Sequence, residues 1–368
     1  MRRLVVASAI LATLLTTPLS LAAADPTQPT VATDSTRATA ALAYLLAAQG
    51  ADGSIDGSLG ETSDFVIGAA AAGYDPATLH GCAGDAGALS FIATASDAAA
   101  TDAGKTGKAI LAVVAAGGDP AEFEGRDLPA RLAALYNAAT GAYGDGATFG
   151  QSFAVLAVVA SGGSVPAGAA AWLASLQGSD GSWSYGSVPP SAGDGDTNST
   201  AIALMALDVA GVHSADPAAL AYLASQQVAG GGFPYSTAWG TASDPDSDSI
   251  VLQALIATGQ DPEGPAWSQG ADNVLTDLRA MQAADGGFVY PGWGESAFAT
   301  SQVPAALMRL PYGAAVHPRT GLSVPTTACS SPSLGPSLGP STSATALRTP
   351  TPTPRRTARP TVRPTAPP

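Results

Sequence analysis

Five glycines that each close an alanine-rich apolar run, Gly73, Gly117, Gly162, Gly211 and Gly259, follow one another at steps of 44, 45, 49 and 48 residues. A period of this length restricts the chain to repeat architectures, in which a unit buries its apolar face only against its neighbours. Three of the glycines are followed at once by Asp-Pro, at Asp75-Pro76, Asp119-Pro120 and Asp261-Pro262. Glycine past the end of one helix, then Asp as N-cap and Pro at the first helical position, predicts a fresh helix after each glycine.

Every period carries a second mark. The segments "AAQGADGSIDG", "LYNAATGAYGD", "SLQGSDGSWSY", "SQQVAGGGFPY" and "AMQAADGGFVY" share the template Gln-x-x-Asp-Gly-x-aromatic at Gln49, Asn137, Gln177, Gln227 and Gln282, and a degenerate copy near Ser96 makes six. A helix reaches the Gln, glycine backbone turns, and the amide is placed to hydrogen-bond exposed backbone groups. Each period is therefore a helical hairpin. The second helix of each pair is rich in small residues ("IGAAAAG", "FAVLAVVASGG", "IALMALDVAG"), which suits a crowded inner ring, while Tyr44, Trp172 and Tyr222 suit an outer one. An open solenoid needs polar capping repeats, and the first and sixth copies here are apolar. The expectation is an all-α, (α/α)6 toroid over residues 36–322, with the last helix (Val303 to Leu310) packed on the first repeat (Leu42 to Gly73).

The Gln-x-x-Asp-Gly-x-Trp segments resemble the repeats of squalene and terpene cyclases, protein prenyltransferase β subunits and cobalamin carriers of the transcobalamin type. The resemblance covers residues 36 to about 312 and implies the toroid fold. Its enzyme branches imply further residues. Class II cyclases use an Asp-x-Asp-Asp acid, whose paired charges keep a proton available. The nearest stretches here, Asp194 with Asp196 and Asp244 with Asp246 and Asp248, lack the adjacent pair. Prenyltransferases hold zinc with Asp, Cys and His; three histidines (His80, His213, His317) and no Cys in the middle repeats do not provide that set. No catalytic residue is assigned, and no metal. The Asp244–Asp248 run fails as an EF-hand because Ser249 and Leu255 stand where Gly and Glu are needed. "DTNSTAIALMALDVAG", "DSDSIVLQALIATG" and "ATSQVPAALMRLP" are similar to helices of secreted bacterial transcobalamin-like toroids, which implies binding of a bulky ligand such as cobalamin or another corrinoid. The readings that stand beside it are a terpenoid cyclase or prenyl-transfer enzyme and an adhesive surface module.

Charge and the chain ends set the compartment. Arg2 and Arg3, the apolar run Leu4 to Leu21 and the small residues Ala22 to Ala24 read as a signal peptide over residues 1–24, with no later run of that length to anchor the chain in a membrane. Residues 330–368 are Ser, Thr, Pro, Ala and Arg, a composition that cannot bury a core and reads as a disordered stalk able to meet cell-envelope polymers. Of the 15 Lys and Arg, two lie in the signal and five in the stalk, so eight face all 29 Asp and Glu in residues 25–329. A body this acidic repels phosphate backbones, which excludes nucleic acid as partner. The chain reads as secreted or surface-tethered.

In a closed ring, the position eleven residues before each inner-helix glycine surrounds one mouth. Those positions hold Thr62, Thr106, Gln151, Thr200 and Asp248, and alignment adds Thr300. Repeats four to six bring the longer connections, with Trp239 and Trp293, and insertions on one face of an array commonly form its binding face. Tyr185, Tyr235 and Tyr290 each stand two residues past the turn aromatic and so share its face in an extended segment. The candidate ligand-binding set is Thr200, Asp246, Asp248, Thr300, Gln302, Tyr185, Tyr235, Trp239, Tyr290 and Trp293, suited to a large neutral or cationic ligand.

The only cysteines, Cys82 and Cys329, follow the first and sixth repeats. Ring closure makes those points neighbours, so a disulfide clasping the seam is expected, worth about 4–5 kcal/mol for so long a loop. Peptide mapping of the non-reduced protein by mass spectrometry should find the two in one linked peptide. Alkylatable thiols at both positions would refute the bridge.

Overall fold

The structure, a computed structural model, describes residues 33–314 other than 83 and 293. Residues 1–24 read as a signal, Trp293, Cys329, residues 315–322 and residues 330–368 read as a stalk lie outside the described residues, so the Cys82–Cys329 bridge stands as a proposal.

Among the described residues thirteen α-helices form two concentric layers. The inner layer is α2 (Leu59–Ala71), α4 (Ala103–Ala115), α6 (Thr148–Ala160), α8 (Thr197–Val209) and α10 (Pro245–Ala257), each of 13 residues, completed by α12 (Ala297–Ser301) and α13 (Val303–Leu307). Each packs on the next, and α13 packs on both α10 and α2, which closes the ring as expected. The outer helices α1 (Asp34–Ala48), α3 (Ala88–Ala98), α5 (Leu128–Ala134), α7 (Ala167–Ser175), α9 (Asp216–Gln226) and α11 (Val274–Ala280) stand over the grooves between inner neighbours. Small residues allow the inner contacts: a Cβ at Gly107 would meet the Phe153 carbonyl oxygen at 2.6 Å, and one at Gly68 would meet the Pro304 side chain at 2.8 Å.

Three details differ from the sequence reading. The closing helix is split at Gln302, because Pro304 has no N–H to continue the ladder. The Asp-Pro pairs start only single turns: Asp75 caps a 3-10 turn at Pro76–Thr78, while α3 begins at Ala88, α5 at Leu128 and α11 at Val274. The inner-helix N-caps lie four residues ahead of the polar ring, at Ser58, Asp102, Asp196, Asp244 and Ser296. Two short antiparallel ladders add to the helices, β1 (Ser268–Gln269) with β2 (Asp272–Asn273) and β3 (Val289–Tyr290) with β4 (Gly294–Glu295).

The Gln turns join one repeat to the next. Gln177 Nε2 donates to its own turn at the Gly181 carbonyl (3.0 Å) and to the Ala215 carbonyl ahead of α9 (3.1 Å). Gln227 does the same to Gly231 and Trp267, at 2.8 and 2.9 Å. Gln282 reaches Gly286 at 3.2 Å and Arg37 of the first repeat at 2.9 Å, so the seam is made like the other joints. In the third repeat Asn137 is too short, and Gln151 of α6 bridges Gly141 (3.1 Å) and Ala169 (2.9 Å) instead. Arg279 adds a two-pronged ion pair to Asp34 across the seam, both bonds 2.7 Å.

Gly286 has φ +100°, and a Cβ there would overlap the Ala40 carbonyl of α1. Gly286→Ala is expected to cost about 1–3 kcal/mol in backbone strain and to force the seam apart. Gly186→Ala, whose added Cβ meets nothing within 4 Å, serves as control. Equal thermal midpoints for the two variants would show that the seam does not carry the ring.

Candidate functional site

The turn aromatic and the polar ring are one device. Backbone N–H groups of Ile55, Tyr143, Trp183, Phe233 and Phe288 donate to Thr62 (2.8 Å), Gln151 (2.7 Å), Thr200 (3.0 Å), Asp248 (2.6 Å) and Thr300 (2.9 Å). The two threonine hydroxyls of the predicted set also donate back to their own N-cap carbonyls, Asp196 and Ser296, at 2.7 and 2.8 Å. Thr200, Asp248 and Thr300 are fully buried. The structure thus places these three predicted ligand residues in the turn-locking framework. Their polarity answers the orphan N–H of the turn.

Asp248 also faces a like charge. Its Oδ2 and the Oδ2 of Asp277 on α11 are both buried without a donor. Burial first, then the Asp277 charge, holds Asp248 well above the usual carboxylate range.

Each inner element sends a side chain toward a common axis. Lys108 Nζ of α4 lies 2.7 Å from Asp64 Oδ2 of α2, and the Tyr312 hydroxyl, from the segment after α13, donates to Asp64 Oδ1 at 2.6 Å. Burial outweighs Lys108 and raises Asp64 from its ordinary value. Lys108 also sits 5.1 Å from the ring centre of Phe153 on α6. Opposite, Asp246 of α10 accepts from Asn198 Nδ2 of α8 (2.9 Å) at one oxygen and from Gln302 Nε2 at the other. Asp246 is pushed up to about 7 by burial, then by the like charge of Asp244; Lys108 opposes and Asp64 reinforces the shift. Asp246 and Gln302, predicted together, are brought together. Asp64, Lys108, Asn198, Phe153 and Tyr312 escaped the sequence reading. Lys108 carried a usable signal, since a cation inside the alanine-rich run "GKAILAVVAAGG" has no solvated face to occupy.

One cleft of this mouth, about 490 Å³, is lined by Phe149, Phe153, Tyr185, Lys105 and Lys108 with Gly60, Gly104 and Gly150. It lies on repeats one to three, where the sequence pointed to the later repeats, because glycine at three adjacent inner helices leaves the space empty. A smaller one, about 180 Å³, is lined by Tyr235, Trp239 and Tyr290 with Asp244, so three of the predicted aromatics line one cleft while Tyr185 stands in the other. Among the described residues no group of three His, Cys, Asp or Glu is arranged to hold a metal ion, and no helix is long and apolar enough to cross a membrane.

No family model matches the chain, and no curated protein matches it in sequence. Solved structures do. A variant of the type II terpene cyclase MstE from Scytonema, in complex with its substrate geranylgeranyl dihydroxybenzoate, is 17% identical with a TM-score of 0.52, covering 75% of this chain and 97% of that one. The same enzyme without ligand is 16% identical, TM-score 0.52, covering 75% and 98%. This chain has the α/α-toroid fold of a type II terpene cyclase. At such identity the likeness is one of fold.

The Asp248–Asp277 pair yields a pH prediction. A carboxyl whose folded pKa is raised stabilises the fold at low pH and loses that contribution as pH rises through the folded value. Asp248→Asn keeps an acceptor for Phe233 and supplies an N–H to Asp277. Its melting temperature should exceed the parent's by about 2–4 °C at pH 8, the shift roughly 1 kcal/mol gives a domain of this size class, and match it near pH 4. A lower midpoint at both pH values would show that the Asp277 charge does not hold Asp248 up.

Proposed function

We propose that the mouth of the ring binds an isoprenoid small molecule and that Asp246 is the acid that starts its cyclisation. The observation that carries the reading is Asp246 itself: a carboxyl on the ring axis, pushed up to about 7, close enough to neutrality to give and retake a proton. The adjacent acidic pair of class II cyclases is missing, and the like charges of Asp244 and Asp64 raise Asp246 in its place. Asn198 and Gln302 hold both oxygens and fix their direction. Phe149, Phe153 and Tyr185 offer apolar and π surface in a cleft of a size that takes small molecules. In the step proposed, an Asp246 proton forms a C–H bond with a terminal alkene carbon as the π bond breaks. The tertiary cation is attacked by the next alkene, and a final C–H proton returns to the carboxylate or to water, so atoms and charge balance. That neighbouring folds bind a geranylgeranyl-bearing substrate supports an isoprenoid. Nothing in the geometry favours a corrinoid, which the sequence resemblance had put first. The leader read at residues 1–24 supports action outside the cytoplasm, with residues 330–368 as the stalk.

The mature chain, incubated with squalene, geranylgeraniol and prenylated aromatic acids, should yield cyclic isomers of unchanged mass by mass spectrometry. Asp246→Asn should lower that rate by about 10²-fold or more while substrate is still retained on dialysis. Because the acid form is the active one, the rate should fall as pH rises through about 7. Retention without turnover across the whole set would reduce the protein to a binder, and neither retention nor turnover would overturn the proposal.

A further inference from the structure

The smaller cleft has a character of its own. Tyr235 and Trp239 stack with ring centres 5.3 Å apart and planes 23° from parallel, and Trp239 is 70% exposed. Tyr235 is fixed at its backbone, where its carbonyl accepts from the Thr197 N–H at 2.9 Å. Tyr290, held on β3, forms the facing wall with Pro291. A large indole left in water, stacked on a residue whose backbone is anchored, is a preorganised platform rather than a packing residue.

Electrostatics narrows what the platform can take. Asp244 lines the cleft, and among the described residues no Lys, Arg or His does. The charge of Asp244 reaches across it: after burial, it is the first of the charges that raise the Tyr290 phenol to about 12. Anions are therefore repelled. Both Asp244 oxygens already accept from Ser247, at 2.8 Å from its N–H and 2.9 Å from its hydroxyl. A metal ion or a primary ammonium needs several free oxygens to replace its water. A quaternary ammonium has no N–H to satisfy and is drawn by aromatic faces and a negative field alone.

We propose that the Tyr235–Trp239–Tyr290 cleft is a binding site for a methylated ammonium group of the choline type. The site is separate from the acid chemistry proposed for Asp246 and does not depend on it.

Titration of the mature full chain with choline and tetramethylammonium, followed by tryptophan fluorescence and calorimetry, tests the site. The comparison ligands are 3,3-dimethylbutan-1-ol, the uncharged isostere of choline, and a methyl glucoside. Saturable choline binding is expected, about tenfold tighter than the isostere, the ratio a cation–π and field contribution of roughly 1–2 kcal/mol gives. It should be lost in Trp239→Ala and Tyr290→Ala, both with unchanged circular dichroism. Equal binding of choline and isostere would make this an apolar cleft only. Glucoside binding without ammonium binding would make it a sugar platform. Either result, retention in both variants, or no saturation would overturn the proposal. Choline binding in a protein that turns over no prenyl substrate leaves it standing, so the two readings fail separately.

Discussion

A turn glycine with left-handed backbone abuts the outer helix of the next repeat so closely that any side chain would overlap its main chain. Gly53 meets Gly87, Gly141 meets Gly168, Gly181 meets Ala218, Gly231 meets Asn273, and Gly286 meets Ala40. The adjoining Gln amide then ties its own turn to that neighbour in the fourth, fifth and sixth joints, and Gln151 does so in the third. All the rest of the ring depends on this joint. It sets the spacing of the outer helices, which in turn fixes where each inner helix begins. Since the joint from repeat six to repeat one is built the same way, closure requires no special clasp. Asp34, Arg279, Glu263 and Arg309 form a partly buried ion-pair network at that seam.

Closure has a chemical consequence. Six inner N-termini converge on one mouth, and side chains that are distant in sequence meet there. Asp64 and Tyr312 stand 248 residues apart yet share a 2.6 Å hydrogen bond. Asn198, Asp246 and Gln302 come from three different inner elements. Desolvation is the first cause of the raised Asp64 and Asp246, and neighbouring carboxylates such as Asp244 add to it at Asp246. Asp248, Asp246 and Asp244 illustrate how position alone separates roles. Within five residues one locks a turn, one faces the axis, and one caps a helix.

Much of this was legible before any coordinates. Repeat number, hairpin character, ring closure and the helix layers followed from glycine spacing and from small residues on the second helix of each pair. Those are local demands: a positive φ needs glycine, and a close helix approach needs alanine. Asp246 with Gln302, and Tyr235 with Trp239 and Tyr290, were also picked out together, since the period places them on one end of the array. The polar ring was legible in register and misread in purpose. Thr200, Asp248 and Thr300 lie one turn inside their helices, where a buried N–H from the preceding turn claims them.

The sequence by itself determined the unit, its number and the end of the ring on which chemistry is placed, because turn, cap and packing requirements are written in residues close together along the chain. Only the tertiary structure decided which side chains meet on the axis and which space stays empty. Lys108 is one cation in an apolar run until α2 brings Asp64 to it, and Gly60, Gly104 and Gly150 are three unremarked glycines until adjacent helices set them along one cleft. The protonation of Asp246 belongs to the same class. Its carboxyl is ordinary in the chain and becomes an acid near neutrality only where closure removes water and sets Asp244 and Asp64 near it, since desolvation and through-space charge have no sequence period.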